Sequence, residues 1–144
     1  MKIFCDTSVL VAGCIRCHPH FNRAHPVLAA AVKRSGSFYC AAHSIAEMYA
    51  VLTRMPSQPR IHPADALKMI QQNVIAHFKV VSLDADAYQK VVSQCVENGL
   101  TGGVVYDALI LQCAKTVKPD RIYTFNVHDF QRVSMDLASK VIAP

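Results

Sequence analysis

Four carboxylates stand where a folding chain ordinarily places apolar side chains. Asp6 ends the run Met1-Lys-Ile-Phe-Cys, and Glu47 interrupts Ser44-Ile-Ala-Glu-Met-Tyr-Ala-Val-Leu52. Asp107 interrupts Gly103-Val-Val-Tyr-Asp-Ala-Leu-Ile-Leu111, and Asp129 closes the stretch Ile122-Tyr-Thr-Phe-Asn-Val-His-Asp129. The chain holds only ten Asp and Glu in all, so these four are not samples of an acidic surface. A buried carboxylate is costly unless a donor or a positive charge compensates it. If the four converge, a divalent cation is the natural compensator. Hard oxygen ligands suit Mg2+ or Mn2+, which keep water and bind phosphate oxygens.

Three of the acids also have a purely structural reading, and at this level both readings stand. Asp6 fits the N-cap of a helix beginning at Thr7. Ser44-x-x-Glu47 fits a capping box, and Asn126-x-x-Asp129 looks like another helix start. Asp107 is different. Its helical neighbours at three and four residues are Gly103, Val104, Ile110 and Leu111, which place it on an apolar stripe with no capping role.

The elements that must position these acids alternate along the chain. Residues 2–5, 37–40, 78–82 and 121–125 read as strands, with a fifth over 138–142. Helices are expected over 7–14, weakened by Gly13, and over 21–33 and 43–54. Another opens at Pro63 and runs to about Ala76, one follows Asp84 to Glu97, and one bears Asp107 and ends near Pro119. No connection is short enough for a hairpin, which argues for a parallel sheet of four to five strands with helices on both faces. Asp6 and Asp129 then follow the carboxyl ends of two strands. Glu47 lies one turn into the helix after the second strand. Ligands of open parallel sheets bind at those ends.

Composition agrees with such a sheet. The 144 residues are 52% hydrophobic and only 17% charged, as expected when strands are covered on both faces. A net charge of +5 suggests a polyanionic partner. No stretch is long enough to span a membrane, and the N-terminus does not resemble a signal peptide. The six cysteines therefore read as buried thiols in a reducing cytoplasm. Cys14-Ile-Arg-Cys17-His18 matches the string of c-type haem attachment, and Cys14, Cys17, His18 and His20 could be taken for zinc ligands. Haem attachment belongs to exported proteins, and a zinc site here would lack a distant ligand pair to close it. The string is expected to be inert, and no histidine sits obviously in the acidic motifs.

Four segments together resemble the PIN-domain nucleases, and most of all the VapC-type toxins of toxin–antitoxin pairs. They are Ile3-Phe-Cys-Asp-Thr-Ser-Val-Leu-Val-Ala12, Ser44 to Arg54, Val105-Tyr-Asp-Ala-Leu-Ile110 and Ile122 to Phe130. His18-Pro-His-Phe-Asn-Arg-Ala24 resembles a loop-helix entry of the same proteins. The resemblance implies a three-layer α/β/α PIN-like fold, with residues 1–144 forming a single nuclease domain. It implies that Asp6, Glu47 and Asp107 are the metal-site acids and Asp129 the fourth, more variable one. Asn126 stands where many relatives carry a further Asp. Thr7 and Ser8 match the hydroxyl residues after the first acid, and Ser8 is expected to orient a carboxylate or water. The implied activity is Mg2+- or Mn2+-dependent hydrolysis of RNA by in-line attack, leaving a 5′-phosphate and a 3′-hydroxyl. The implied partners are RNA, a cognate antitoxin and a second copy of the chain.

Two other readings compete. An aspartate-nucleophile phosphohydrolase would also place an acid after the first strand, but usually with a second acid two residues on, where this chain has Ser8. A PIN-like module that has lost its metal would bind RNA or protein without chemistry. Asp6, Glu47 and Asp107 argue against it, whereas Asn126 favours it.

Overall fold

A computed structural model describes residues 1–144. Five strands, β1 (Ile3–Cys5), β2 (Phe38–Ala41), β3 (Lys79–Val81), β4 (Arg121–Tyr123) and β5 (Val141–Ile142), form one sheet in the order β3-β2-β1-β4-β5. All four pairings are parallel. The helices are α1 (Thr7–Cys14), α2 (Phe21–Lys33), α3 (Ala42–Arg54), α4 (Pro63–Ile70), α5 (Ala85–Glu97), α6 (Val104–Val117) and α7 (Val127–Val133). No helix is long and apolar enough to cross a membrane.

Alternation along the short strands divides the core in two. Ile3, Cys5, Phe38 and Cys40 face one layer with residues of α1, α2, α3 and α4. Phe4, Ala41, Ile122 and Val141 face the other with residues of α6 and α7. This is the three-layer α/β/α arrangement expected of the apolar strands. Strand order reverses between β1 and β4, so the crevice at their carboxyl ends is a topological switch point.

Several boundaries differ from the sequence reading, each for a local reason. The fifth strand shortens to two residues because Met135–Lys140 winds into a 3-10 turn. The helix opened by Pro63 loosens into a π turn over Gln71–Ile75. Gly13 is not a weak point. A Cβ built there would lie 2.7 and 2.9 Å from the Leu28 methyls and 3.3 Å from the Ala24 carbonyl, so glycine lets α1 lie directly on α2.

Candidate active site

Asp6 leaves β1 as the sheet ends and caps α1. Its backbone N–H still donates to the Tyr123 carbonyl at 2.9 Å, which keeps β1 and β4 in register to the last residue. The residue is 3% exposed. Oδ1 accepts from Thr7 N at 2.7 Å. Oδ2 accepts from Ser8 N at 3.3 Å, Ser8 Oγ at 2.7 Å and Thr124 Oγ1 at 2.9 Å. Burial pushes its carboxyl pKa up, and these donors pull it back. The capping and site readings of Asp6 are therefore compatible: the same carboxylate caps α1 and faces the cavity.

Glu47 arrives from α3, but not through a capping box. The helix begins at Ala42 with Ala41 as its N-cap, so Ser44 is already inside the first turn. Ser44 is buried and its Oγ lies 2.8 Å from Thr7 Oγ1. The Thr7 hydroxyl donates to Glu47 Oε1 at 2.9 Å, joining the residue after Asp6 to the second acid. His43, one turn before Glu47, places Nε2 3.7 Å from the same oxygen. That nitrogen is buried and has no hydrogen-bond partner.

Asp107 lies in the first turn of α6, half-buried. Its carboxyl pKa is pushed up to about 6, first by burial and then by the negative charges of Asp6, Glu47 and Asp129. Asp6, Glu47 and Asp107 line one cavity of about 540 Å³, along with Ser8 and Asn126. Asp129 does not line it. It is exposed on α7, 3.8 Å from Arg132, and its charge acts on Asp107. Asn126 precedes α7, and its side chain makes no capping bond.

The histidines correct the sequence reading. His18 and His20 line the cavity beside the carboxylates, and His43 touches Glu47. His18 Nδ1 accepts from His20 N at 3.0 Å, and the His20 ring stacks on Phe125 with centroids 4.3 Å apart. Burial, and then His20, lower the His18 pKa. For His43 the signal was present, since it stands four residues before Glu47 and such positions share a helix face. For His20 and Phe125 there was none, because loops far apart in sequence bring them together. All six cysteines are free thiols, but not all are buried as expected: Cys14 is half-buried and Cys17 is exposed, because both lie where α1 gives way to the surface loop before α2.

The donor set fits a hard divalent cation. Three carboxylates from three helical segments share one cavity, and no Lys or Arg forms an ion pair with any of them. No three His, Cys, Asp or Glu side chains are already gathered into a closed ligand group.

Comparison with known proteins identifies the family and the fold. Residues 3–135 match the family model described as the PIN domain. The chain is 34% identical over 110 residues to ribonuclease VapC40 of Mycobacterium tuberculosis, covering 76% of each chain. The fold superposes on the crystal structure of VapC20 of the same organism, a sarcin-ricin loop cleaving toxin, with a TM-score of 0.73. That match is 17% identical and covers 92% of this chain and 95% of the other. A further match, with a TM-score of 0.62 and 16% identity, is VapBC2 of Rickettsia felis bound to a promoter DNA fragment, covering 100% of this chain and 98% of that one.

Proposed function

This chain belongs to the PIN-domain family, with VapC ribonucleases among its relatives, and on that premise we propose that it is a divalent-metal-dependent endoribonuclease and the toxin of a toxin–antitoxin pair. The observation that carries the reading is the group of three carboxylates around one cavity, with no Lys or Arg paired to them.

Asp6, Glu47 and Asp107 would hold Mg2+ or Mn2+, with Asp129 contributing charge from outside the cavity. When bound, the cation supplies a polarised phosphate and a more acidic water, and hydrolysis leaves a 5′-phosphate and a 3′-hydroxyl. The protein's part is to hold the acids still. Ser8 and Thr124 fix Asp6, and Thr7 fixes Glu47. Asp107, with a pKa of about 6, is ionised in most molecules at neutral pH. Val51, one turn beyond Glu47, lines the cavity, and Arg54, seven residues beyond Glu47, continues the same helix face. Its guanidinium is available to the RNA backbone. Residues 1–144 act as one nuclease unit in the cytoplasm.

An antitoxin would inhibit by placing an Arg or Lys among the three acids, competing with the cation. Apolar side chains exposed on the surface, such as Val92 and Val96 on α5, would serve a homodimer. Light scattering at micromolar concentration tests the dimer, where a monomeric mass counts against it.

Cleavage of single-stranded RNA with Mn2+ and with EDTA tests the activity. We expect cleavage by the wild-type protein only with Mn2+, and none by Asp107→Asn. Equal cleavage in EDTA, or by the variant, would sink the reading.

A further inference from the structure

The cavity that holds the carboxylates has a second wall of different chemistry. His18, Pro19, His20 and Phe125 line it, and none of them carries a fixed charge. His20 lies nearly flat on Phe125, with 16° between the rings. The Arg23 guanidinium sits 5.4 Å from the Phe125 centroid, anchored by a 2.9 Å bond from its Nε to the Pro144 carbonyl. Phe125 packs in part against the core beneath, so the stack has a rigid base.

We propose that this aromatic wall is a nucleobase subsite, in which His20, backed by Phe125, stacks on a base of the RNA strand next to the bond being cut. The inference rests on the ribonuclease reading and adds how the substrate is held.

First, the acids cannot supply affinity, since three carboxylates repel a polyanion everywhere except at a phosphate whose charge a cation would offset. Affinity must come from groups that tolerate RNA. Unpaired bases offer apolar π faces that stack on His, Phe and Arg planes. Second, the stack is tied directly to the acids. Phe125 N–H donates to Ser8 Oγ at 3.1 Å, and that hydroxyl donates to Asp6 Oδ2 at 2.7 Å. One serine thus fixes the aromatic platform relative to the carboxylate. In a nucleotide, one ribose fixes the base relative to its phosphate. A cavity of about 540 Å³ has the size of a small-ligand site. The competing explanation is that the His20–Phe125 stack merely closes the loop before α2 over the core.

Substrates lacking a base separate the two. The probe is a short single-stranded RNA cut by the protein at one mapped bond, with copies carrying one abasic ribose on either side of that bond. With Mn2+, His20→Ala should raise KM about tenfold with little change in kcat, the magnitude of one lost base stack. One abasic copy should cost the wild-type protein about the same factor and cost His20→Ala nothing more. His20→Phe, which keeps a flat ring, should stay within about threefold of wild type. Thermal melting of each variant shows that it is folded. Should His20→Ala be unfolded, the comparison of His20→Phe with the wild type on intact and abasic RNA decides: both must lose the same factor. Multiplying penalties for His20→Ala and the abasic copy, or no abasic penalty in the wild type, would overturn the subsite while leaving the ribonuclease reading intact. Failure of the wild type to cut any RNA would overturn both.

Discussion

The imidazole of His43 lies against the phenol ring of Tyr106, with centroids 5.0 Å apart and planes 13° from parallel. The two rings join the helices that carry two of the acids. His43 stands one turn before Glu47, and Tyr106 directly precedes Asp107. The stack therefore bears on the separation of Glu47 and Asp107, while Nε2 faces the Glu47 carboxylate at 3.7 Å. Residues that orient metal ligands typically contribute about 10- to 100-fold to affinity. We expect His43→Ala to weaken Mn2+ binding about tenfold in calorimetry. His43→Phe keeps the stack and loses the nitrogen, so an affinity between those of wild type and His43→Ala would show that both parts contribute. Unchanged affinity in both variants would remove His43 from the site.

Asp107 makes stability depend on pH in a stated direction. Its folded pKa of about 6 lies above the ordinary 3.8, so the native state binds its proton more tightly than the unfolded chain. Ionisation then costs stability: the cost is absent below about pH 4 and complete above about pH 6 to 7. The side chain is only half-buried, so screening leaves a cost on the order of 1 kcal/mol. Asp107→Asn should therefore raise the stability of the EDTA-treated protein by about that amount at pH 7.5 and flatten the slope between pH 4 and 6. Urea unfolding at several pH values measures this, and an unchanged slope would contradict the assignment.

The acids should differ in weight. Asp6→Asn and Glu47→Gln should each abolish Mn2+-dependent cleavage while leaving a cooperative thermal transition, since each removes charge and little volume. Asp129→Asn should reduce cleavage by less than about tenfold, because Asp129 lies outside the cavity and its charge acts on Asp107. A loss as complete as that of Asp6→Asn would mean that Asp129 reaches the substrate or cation directly.

Gly13 should resist substitution. Alanine in a helix gains about 1 kcal/mol over glycine, but overpacking a core costs about 1–3 kcal/mol. The Leu28 methyls are buried and the Ala24 carbonyl is backbone, so neither yields freely. Gly13→Ala should lose up to about 2 kcal/mol and Gly13→Val more. A more stable Gly13→Ala in urea unfolding would show that α1 and α2 can separate.

The Cys14-Ile-Arg-Cys17 string should be dispensable. Cys14→Ser with Cys17→Ser is expected to leave nuclease activity and metal content within about twofold of wild type. Stoichiometric zinc in the purified protein, lost in the double variant, would prove the opposite.

The order of residues alone specified the layered parallel sheet, because apolar strands alternating with helices leave few other ways to bury both faces. It also determined the approximate positions of Asp6, Glu47 and Asp107, since a carboxylate beside an apolar run is costly wherever that run is buried. Tertiary structure decided the rest. It turned Ser44 from a cap into a neighbour of Thr7, because α3 starts two residues before Ser44 and buries it against α1. It left Asp129 exposed on α7, beside Arg132 of the same helix and outside the cavity lining. It brought His20 to Phe125 and His43 to Tyr106, residues whose distance along the chain carries no local signal. Periodicity records which face of an element is buried. What that face meets depends on how the strands cross over, and only the folded sheet fixes that.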